Sequence, residues 1–359
     1  MAETAAPSAE PVSAAAEQAT AHGAHGEEAV SAEVEVDVEQ DSAYPADDTV
    51  SWRHIDSSSD TTSLASTLMR GHIEHGRKAP VDEQQFATMD AGHYLYLLMN
   101  SIVSPDNLLF RAPITDPKRI LDIGTGPGTW AIDCADKFPE TTVFGVDLHP
   151  PPAPFVPPNC FLEVDDVTQE WTFKENFDLI HMRQLLGAFT DDEWDDVYQK
   201  CYEHLKPGAW IEHLEADINA HSDDGSLAPD SLLAGWGPTF MPCGERAGRP
   251  LDVQATMRAK IEKAGFVNVQ EHLFKTPVGT WPKNQILKQA GRINYSHWSD
   301  GLEGYAMFLL THFGAPKPWT ADEVRVYVAK VKQELQSRKL HCWHWSRRVW
   351  AQKPADHEV

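Results

Sequence analysis

A glycine-rich stretch stands about a third of the way along the chain and reads Arg119-Ile-Leu-Asp-Ile-Gly-Thr-Gly-Pro-Gly-Thr-Trp130. Its first half, Ile120 to Ile123, is a short apolar run with β-branched residues, which is typical of a buried strand in a parallel sheet. The run ends in three glycines at alternate positions, and a helical pattern resumes at Trp130. A strand, a glycine turn and a helix in this order bring backbone N–H groups and a helix N-terminus up to a ligand.

The spacing of the glycines separates two classes of ligand. A dinucleotide-binding fingerprint reads G-x-G-x-x-G and would have its third glycine at position 129, where the chain has Thr129. The spacing present is D-x-G-x-G-x-G, from Asp122 to Gly128. A carboxylate at the strand end would repel a pyrophosphate, but it suits a ligand with a cationic amine. The turn therefore predicts a site for S-adenosylmethionine (SAM).

A second carboxylate supports this prediction. The run from Thr142 to Asp147 is the next predicted strand, and Asp147 ends it about 20 residues after the glycines, where a doubly wound fold places the carboxylate that binds ribose hydroxyls.

The composition divides the chain into an acidic tail and a globular part. The 359 residues carry a net charge of −24, and residues 1–50 hold twelve Asp and Glu but no Lys or Arg. That segment has few large apolar residues to offset its ordering entropy, so residues 1–60 are predicted to be a disordered acidic tail. The acidic balance argues against direct nucleic-acid binding. The sequence also predicts no secretory signal and no membrane span, and its five scattered Cys favour neither a disulfide framework nor a zinc site.

The rest of the chain, 61–354, alternates predicted strands and helices, which indicates a parallel α/β sheet. Strands are predicted at 120–123, 142–147, 160–164, 177–181, 209–214, 266–273 and 342–352. Helices are predicted at 64–74, 83–99, 191–205 and 253–264, and a helical insertion at 281–338 precedes the last strand. This insertion is expected to serve as a lid or a docking surface.

Several motifs carry a closer resemblance. They are Leu121-Asp-Ile-Gly-Thr-Gly-Pro-Gly-Thr-Trp-Ala-Ile132, Val156-Pro-Pro-Asn159, Asp178-Leu-Ile-His-Met-Arg183, His204-Leu-Lys-Pro-Gly208, Ser222-Asp-Asp-Gly-Ser-Leu227, Ala247-Gly-Arg-Pro250, Trp281-Pro282 and Gly301-Leu-Glu303. Through them, about residues 65–354 resemble the class I SAM-dependent methyltransferases, and within these the fungal LaeA-like regulators of secondary metabolism and development. The resemblance implies a Rossmann-like α/β fold, with a seven-stranded sheet and a reversed last strand. It also implies a SAM site and regulatory work in the nucleus, with the cytoplasm as a second compartment, within heteromeric protein complexes.

Site residues follow from the turn and from the strand ends. The methionine end of SAM is expected near the turn, its ribose at Asp147, and its adenine between Asp166 and Val167, with Asp165 as a competing choice. The predicted cofactor-binding set is Asp122, Gly124, Thr125, Gly126, Gly128, Asp147, Leu148, Asp165, Asp166 and Val167. Candidate catalytic residues are His181 and Arg183, which follow the fourth strand at the edge where the substrate is expected. No metal is expected, because core packing explains the histidines at 341 and 344 and turn chemistry explains the acids at 223 and 224.

Three functions remain open from the sequence. The first is a methyltransferase-like nuclear regulator acting on a protein or chromatin-associated target, and the second is a SAM-binding scaffold with little turnover. The third is an enzyme that methylates a small natural product. The long acidic tail and the helical insertion favour the regulator or the scaffold, whereas a deep, closed apolar pocket would favour the small-molecule enzyme.

One departure from the family pattern concerns closure of the site. Glu74-His-Gly-Arg77 runs almost directly into Pro80-Val-Asp-Glu83, so about ten residues of a segment that covers the cofactor in the family are missing. This predicts an open site with weak SAM binding unless a partner, the proline-rich loop at 150–158 or the 281–338 insertion covers it.

Overall fold

Strands and helices alternate through most of the chain. The computed structural model describes residues 34–37, 72–74, 77–79 and 83–355. The strands are β1 His72–Glu74, β2 Arg77–Ala79, β3 Arg119–Ile123, β4 Thr142–Asp147, β5 Cys160–Val164, β6 Phe177–Arg183, β7 Leu205–Ala216, β8 Val267–Val278 and β9 Cys342–Gln352. The helices are α1 Glu83–Val103, α2 Thr129–Lys137, α3 Asp191–His204, α4 Trp236–Ala247, α5 Val253–Lys263, α6 Gln285–Phe313 and α7 Ala321–Leu335.

Seven of the strands form one sheet in the order β5-β4-β3-β6-β7-β9-β8. The five strands from β5 to β7 run parallel, whereas β9 is antiparallel to both of its neighbours. This confirms the predicted class I methyltransferase architecture with its reversed last strand. The apolar run in β3 lies at the centre of the sheet, where Ile120, Leu121 and Ile123 are buried between helical layers.

The register brings the carboxyl ends of the parallel strands to one edge. Asp122 of β3 is paired with Gly145 of β4 on one side and with His181 of β6 on the other. Asp147, at the end of β4, is paired with Val164 at the end of β5. The loops that follow these strands therefore meet above the same edge, which is where open α/β sheets bind ligands.

The predicted helical insertion before the last strand consists of α6 and α7. Helix α6 begins after Asn284, whose side chain accepts hydrogen bonds from the N–H groups of Ile286 and Leu287. Helix α7 begins with a capping box between Thr320 and Glu323. Apolar side chains of α4, α6 and α7 form a second core beside the sheet, and α6 packs along α1. The insertion is therefore an integral layer of the domain.

One local prediction is wrong, and one helix is missing from the predicted elements. Helix α4 was not predicted, because Pro242 lies inside it and reads as a helix breaker. Its apolar residues Trp236, Phe240 and Cys243 nevertheless follow helical spacing and are buried. The helix predicted at 64–74 is instead a strand over its last three residues, where β1 pairs with β2 in an antiparallel hairpin. Residues 64–71 lie outside the described residues.

Part of the acidic tail contacts the folded domain. Residues 34–37, called the docked segment here, pair with the start of the insertion. The N–H of Asp37 donates to Trp281 O at 2.8 Å, and the N–H of Lys283 donates to Glu35 O at 2.8 Å. Asp37 also forms an ion pair with the buried Lys288. These four residues differ from the predicted disorder, while the remainder of 1–60 lies outside the described residues.

Neither a membrane span nor a metal cluster occurs among the described residues. None of their helices combines the length and the apolar composition needed to cross a bilayer. No group of three or more His, Cys, Asp or Glu side chains in the same ranges could hold a metal ion.

Candidate functional site

The glycine turn after β3 requires glycine at each of its three positions. Gly124, Gly126 and Gly128 have φ of 68°, 57° and 85°, in the left-handed region that other residues rarely adopt. A Cβ at Gly126 would lie 3.2 Å from Met89 Sδ, and one at Gly128 would lie 2.6 Å from a methyl carbon of Leu162. The backbone is thus pressed between α1 on one side and β5 on the other.

The hydrogen bonds of the turn explain its ligand class. The N–H groups of Gly124 and Thr125 both donate to Val146 O, and that of Gly128 donates to Thr125 O. The N–H of Gly126 donates to Asp147 Oδ2 at 2.9 Å. Pro127, which lies between Gly126 and Gly128, has no N–H. The backbone donors of the turn itself are therefore used within the protein, and a carboxylate lies against the turn, which fits a cationic ligand such as SAM better than a pyrophosphate.

Asp147 connects the turn to the end of β4. Besides the bond from Gly126, its Oδ1 accepts the N–H of His149 at 3.0 Å. The side chain is 21% exposed, so it is oriented by the backbone and still open to a ligand. Each carboxylate oxygen can accept a second hydrogen bond, which fits the predicted contact with two ribose hydroxyls.

Asp122 lies inside the fold beneath the turn. Its Oδ1 is 2.7 Å from His181 Nδ1, and its Oδ2 accepts the Thr125 hydroxyl at 2.7 Å. The His181 ring stacks on Trp130, with ring centroids 3.8 Å apart. Burial lowers the pKa of His181, so the neutral ring donates Nδ1–H to Asp122. Both residues are at most 3% exposed, and their arrangement supports a role in holding the turn. The predicted catalytic role of His181 stays a prediction.

The predicted adenine-binding loop after β5 is ordered by its own side chains. Asp166 Oδ1 accepts both the N–H and the hydroxyl of Thr168, and these bonds lower the pKa of Asp166. Asp165 is exposed and accepts the N–H of Asp166. Val167 packs against the main core, whereas Leu148, after β4, is 58% exposed and free to cover a flat ligand. The loop therefore presents one apolar face and two acidic side chains beside Asp147.

Arg183, the second candidate catalytic residue, belongs to a network with α1 and α2. One of its terminal nitrogens is 3.1 Å from His93 Nδ1, and His93 Nε2 is 2.9 Å from Asp133 Oδ2. Because a guanidinium can only donate, His93 accepts from Arg183 and donates to Asp133. The network ties α1 to the helix that follows the glycine turn. A catalytic role for Arg183 stays a prediction.

Three polar residues at the end of β7, namely Glu212, His213 and Glu215, are all at most 1% exposed. Glu212 Oε2 accepts the N–H groups at positions 111 and 112. His213 bonds to Tyr198 and to Glu215, and Glu215 accepts the N–H of Leu185 at 2.6 Å. They organise the loops around the site from inside the fold.

A cavity of about 720 Å³ lies beside the glycine turn. Its walls come from α1, α4, α6 and the loops after β6 and β7, and most of the lining is apolar or aromatic. Met89, which lies against Gly126, also lines this cavity, so the cavity adjoins the predicted cofactor site. Its volume is in the range of small-molecule sites.

Helices α1 and α6 supply site residues that sequence reasoning missed. On α1, Asp90 accepts the hydroxyl of Thr129 at the start of α2, and Met89 lies over the turn. On α6, His297 lines the cavity and bonds to Thr88 O. Met89 and Asp90 belong to a helix recognised from its apolar pattern, but that pattern does not show which face covers the turn. The proposed open site stays a prediction.

Comparison with known proteins gives a consistent result. Residues 93–271 match a family model described as a methyltransferase domain. The chain is 34% identical over 313 residues to the methyltransferase pytC of Aspergillus terreus, covering 84% of this chain and 93% of that protein. It is 36% identical over 273 residues to the secondary metabolism regulator LAE1 of Cochliobolus heterostrophus, covering 74% and 86%. It is 32% identical over 293 residues to the secondary metabolism regulator laeA of Aspergillus fumigatus, covering 79% and 76%.

Proposed function

The chain belongs to the methyltransferase family that contains pytC and the LaeA-type regulators of secondary metabolism, and we propose that it methylates a small apolar acceptor. As a member of this family, it is a class I methyltransferase that depends on SAM. The observation that supports a small acceptor is the cavity of about 720 Å³, which shares Met89 with the glycine turn. An apolar cavity of this size suits a small molecule better than an extended peptide.

The contribution of the protein to methyl transfer is mainly positional. SAM, when bound, supplies a methyl group already activated as a sulfonium. The glycine turn and the carboxylate of Asp147 orient the cofactor, and Met89 on α1 lies against the turn. The cavity walls hold the acceptor next to the turn. Proximity and alignment of this kind can account for much of an enzymatic rate.

A regulatory function is the second candidate, and identities of 32–36% to the named regulators favour it. In this case the chain acts in the nucleus, with the cytoplasm as a second compartment. It works with regulatory protein partners in a heteromeric complex, and it methylates a protein or a chromatin-associated target or serves as a SAM-binding scaffold. The two candidates differ in where the methyl group goes.

Labelled SAM separates these candidates. The full chain is incubated with methyl-labelled SAM and a cell extract, and the label is measured in the low-mass fraction and in the protein fraction. The proposal expects the label in a low-mass product. Label confined to protein would instead support the regulatory candidate.

Cofactor binding is tested on matched glycine variants. Gly126→Arg should abolish SAM binding in a calorimetric titration, because the side chain would enter the space between the turn and Met89. Gly225→Arg is the control, since Gly225 also has a positive φ of 75° but has no atom within 4 Å of its Cβ position. Unchanged SAM affinity in a folded Gly126→Arg variant would contradict the assignment of the turn.

A further inference from the structure

His297 of α6 has one ring nitrogen bonded and the other free. Its Nδ1 lies 2.8 Å from Thr88 O on α1. A carbonyl oxygen can only accept, so Nδ1 carries the proton and Nε2 carries the lone pair. Nε2 forms no hydrogen bond within the described part of the chain, and the half-buried ring lines the cavity. The cavity therefore contains a basic nitrogen whose tautomer is set by the fold.

The surroundings of His297 keep the ring neutral. Burial is the largest cause that lowers its pKa, and Arg183 of β6 lowers it further. Asp300, one turn further along α6, raises it in part, and the bond to Thr88 acts in the same direction. His344 of β9 also faces this ring, and burial keeps His344 neutral. A neutral imidazole near pH 7 is the form that can accept a proton.

The position of His297 is close to the glycine turn. Gln184 and His297 both lie against Gly92 of α1, since a Cβ there would be 2.9 Å from Gln184 Oε1 and 3.3 Å from His297 Cε1. The next residue, Leu185, covers Gly124, with a methyl carbon 2.2 Å from where a Cβ would be. His297 is also bonded to Thr88, the neighbour of Met89, so it lies on the wall of the cavity that adjoins the glycine turn.

The other walls of the cavity favour an aromatic ligand. Aromatic side chains line it from three helices, namely Tyr96, Trp236, Trp298, Tyr305 and Phe308. Three charged residues also line the cavity: Asp217 has its oxygens occupied by Asn219 and His221, Arg249 bonds to Ala188 O and Glu193, and Asp300 is exposed. The walls therefore offer stacking surfaces together with the lone pair of His297 Nε2.

We propose that the acceptor is a small aromatic molecule with an acidic hydroxyl group, and that His297 is the catalytic base that takes the hydroxyl proton. This inference rests on the proposed small-molecule function. The acceptor oxygen forms a bond to the methyl carbon while the carbon–sulfur bond breaks and its electron pair stays on sulfur. The hydroxyl proton moves to Nε2 and later to solvent. The products are a methyl ether and S-adenosylhomocysteine.

The test compares two ligands that differ in whether their oxygen carries a hydrogen or a methyl group. Binding of 2-naphthol and of 2-methoxynaphthalene to the full chain is measured by calorimetry at pH 7.5. The naphthol should bind about fivefold more tightly, which corresponds to about 1 kcal/mol for one hydrogen bond. His297→Phe should abolish this preference, because it keeps the aromatic volume and removes the acceptor. His312→Phe, an exposed position on the same helix, should retain it.

The pH dependence of the wild-type preference needs no variant. Because the pKa of His297 is below its usual value, the preference should persist at pH 6.5 and disappear at lower pH, when Nε2 becomes a donor. Equal binding of the two ligands, a preference that survives in His297→Phe, or no binding of either ligand would each overturn the proposal. SAM affinity is measured on the same samples. If the wild-type chain does not bind SAM, the proposed function is refuted, but the comparison of the two ligands still tests the role of His297.

Discussion

Acid should destabilise this fold through His344, a buried histidine of β9. His344 is 2% exposed, its Nδ1 lies 3.2 Å from Trp345 O, and its Nε2 lies 3.0 Å from Asn294 Nδ2. The carbonyl accepts and the amide nitrogen donates, so both ring nitrogens are used in the neutral form only. Burial lowers the pKa of His344 to about 4.

The direction and the size of the effect follow from this pKa. The unfolded chain binds a proton near pH 6.5 and the folded chain only near pH 4, so the stability is present above 6.5 and is lost as the pH falls towards 4. The difference between the pKa in the unfolded chain, 6.5, and the pKa in the folded chain, about 4, corresponds to about 3 kcal/mol of stability, since each pKa unit is worth about 1.4 kcal/mol. About 2.5 kcal/mol of this should already be lost at pH 4.5.

Urea unfolding at pH 7.5 and pH 4.5 measures this contribution. The wild-type chain should lose more free energy of unfolding between these pH values than His344→Gln does, by about 2.5 kcal/mol. Gln can still offer an amide donor and a carbonyl acceptor, and it does not titrate. His312→Gln, on the exposed surface of α6, should behave as the wild type. The same pH dependence in His344→Gln as in the wild type would refute the reasoning.

Three further predictions concern separate parts of the fold. Glu212→Gln should lower the free energy of unfolding in urea by about 3–5 kcal/mol, because it leaves the buried Arg348 without its opposite charge; a loss below 1 kcal/mol would contradict the buried pair. Lys288→Met should make the amides of the docked segment exchange about tenfold faster, since it removes the ion pair to Asp37; unchanged protection measured by mass spectrometry would speak against that contact. Thr190→Ala should cost about 1 kcal/mol of stability in thermal unfolding by deleting the capping box of α3, and an unaltered melting temperature would show that the cap contributes nothing.

The sheet could be predicted because its signals are local. Each strand carries its own apolar run. The number of residues between the glycine turn and Asp147 is that of one helix and one strand, which this fold places between them. Helix α4 could not be predicted from its local apolar pattern. Pro242 inside it is typical of a helix break, and its buried apolar face is recognised only from the tertiary packing. The docked segment did carry a signal, an alternation of Val and acidic residues over 33–39, which is a strand pattern within an acidic composition.

The site could be predicted only where backbone geometry determines it. Positive φ at alternate positions requires glycine, so the turn is visible in the sequence. The burial of His181 is not visible, because a histidine at a strand end can face solvent or the interior, and its stacking on Trp130 depends on α2. His297 is bonded to a carbonyl 209 residues away in the chain, and no local pattern reports such a contact.

The docked segment belongs to the same chain as the surface that it binds. Residues 34–37 pair with the insertion, and the same chain continues into α1 at Glu83, so the docked segment is covalently attached to the domain that it binds. Attachment through the chain gives the segment an effective concentration on the order of millimolar at its own docking surface. A strand offered by another molecule would have to bind that surface against this local competition.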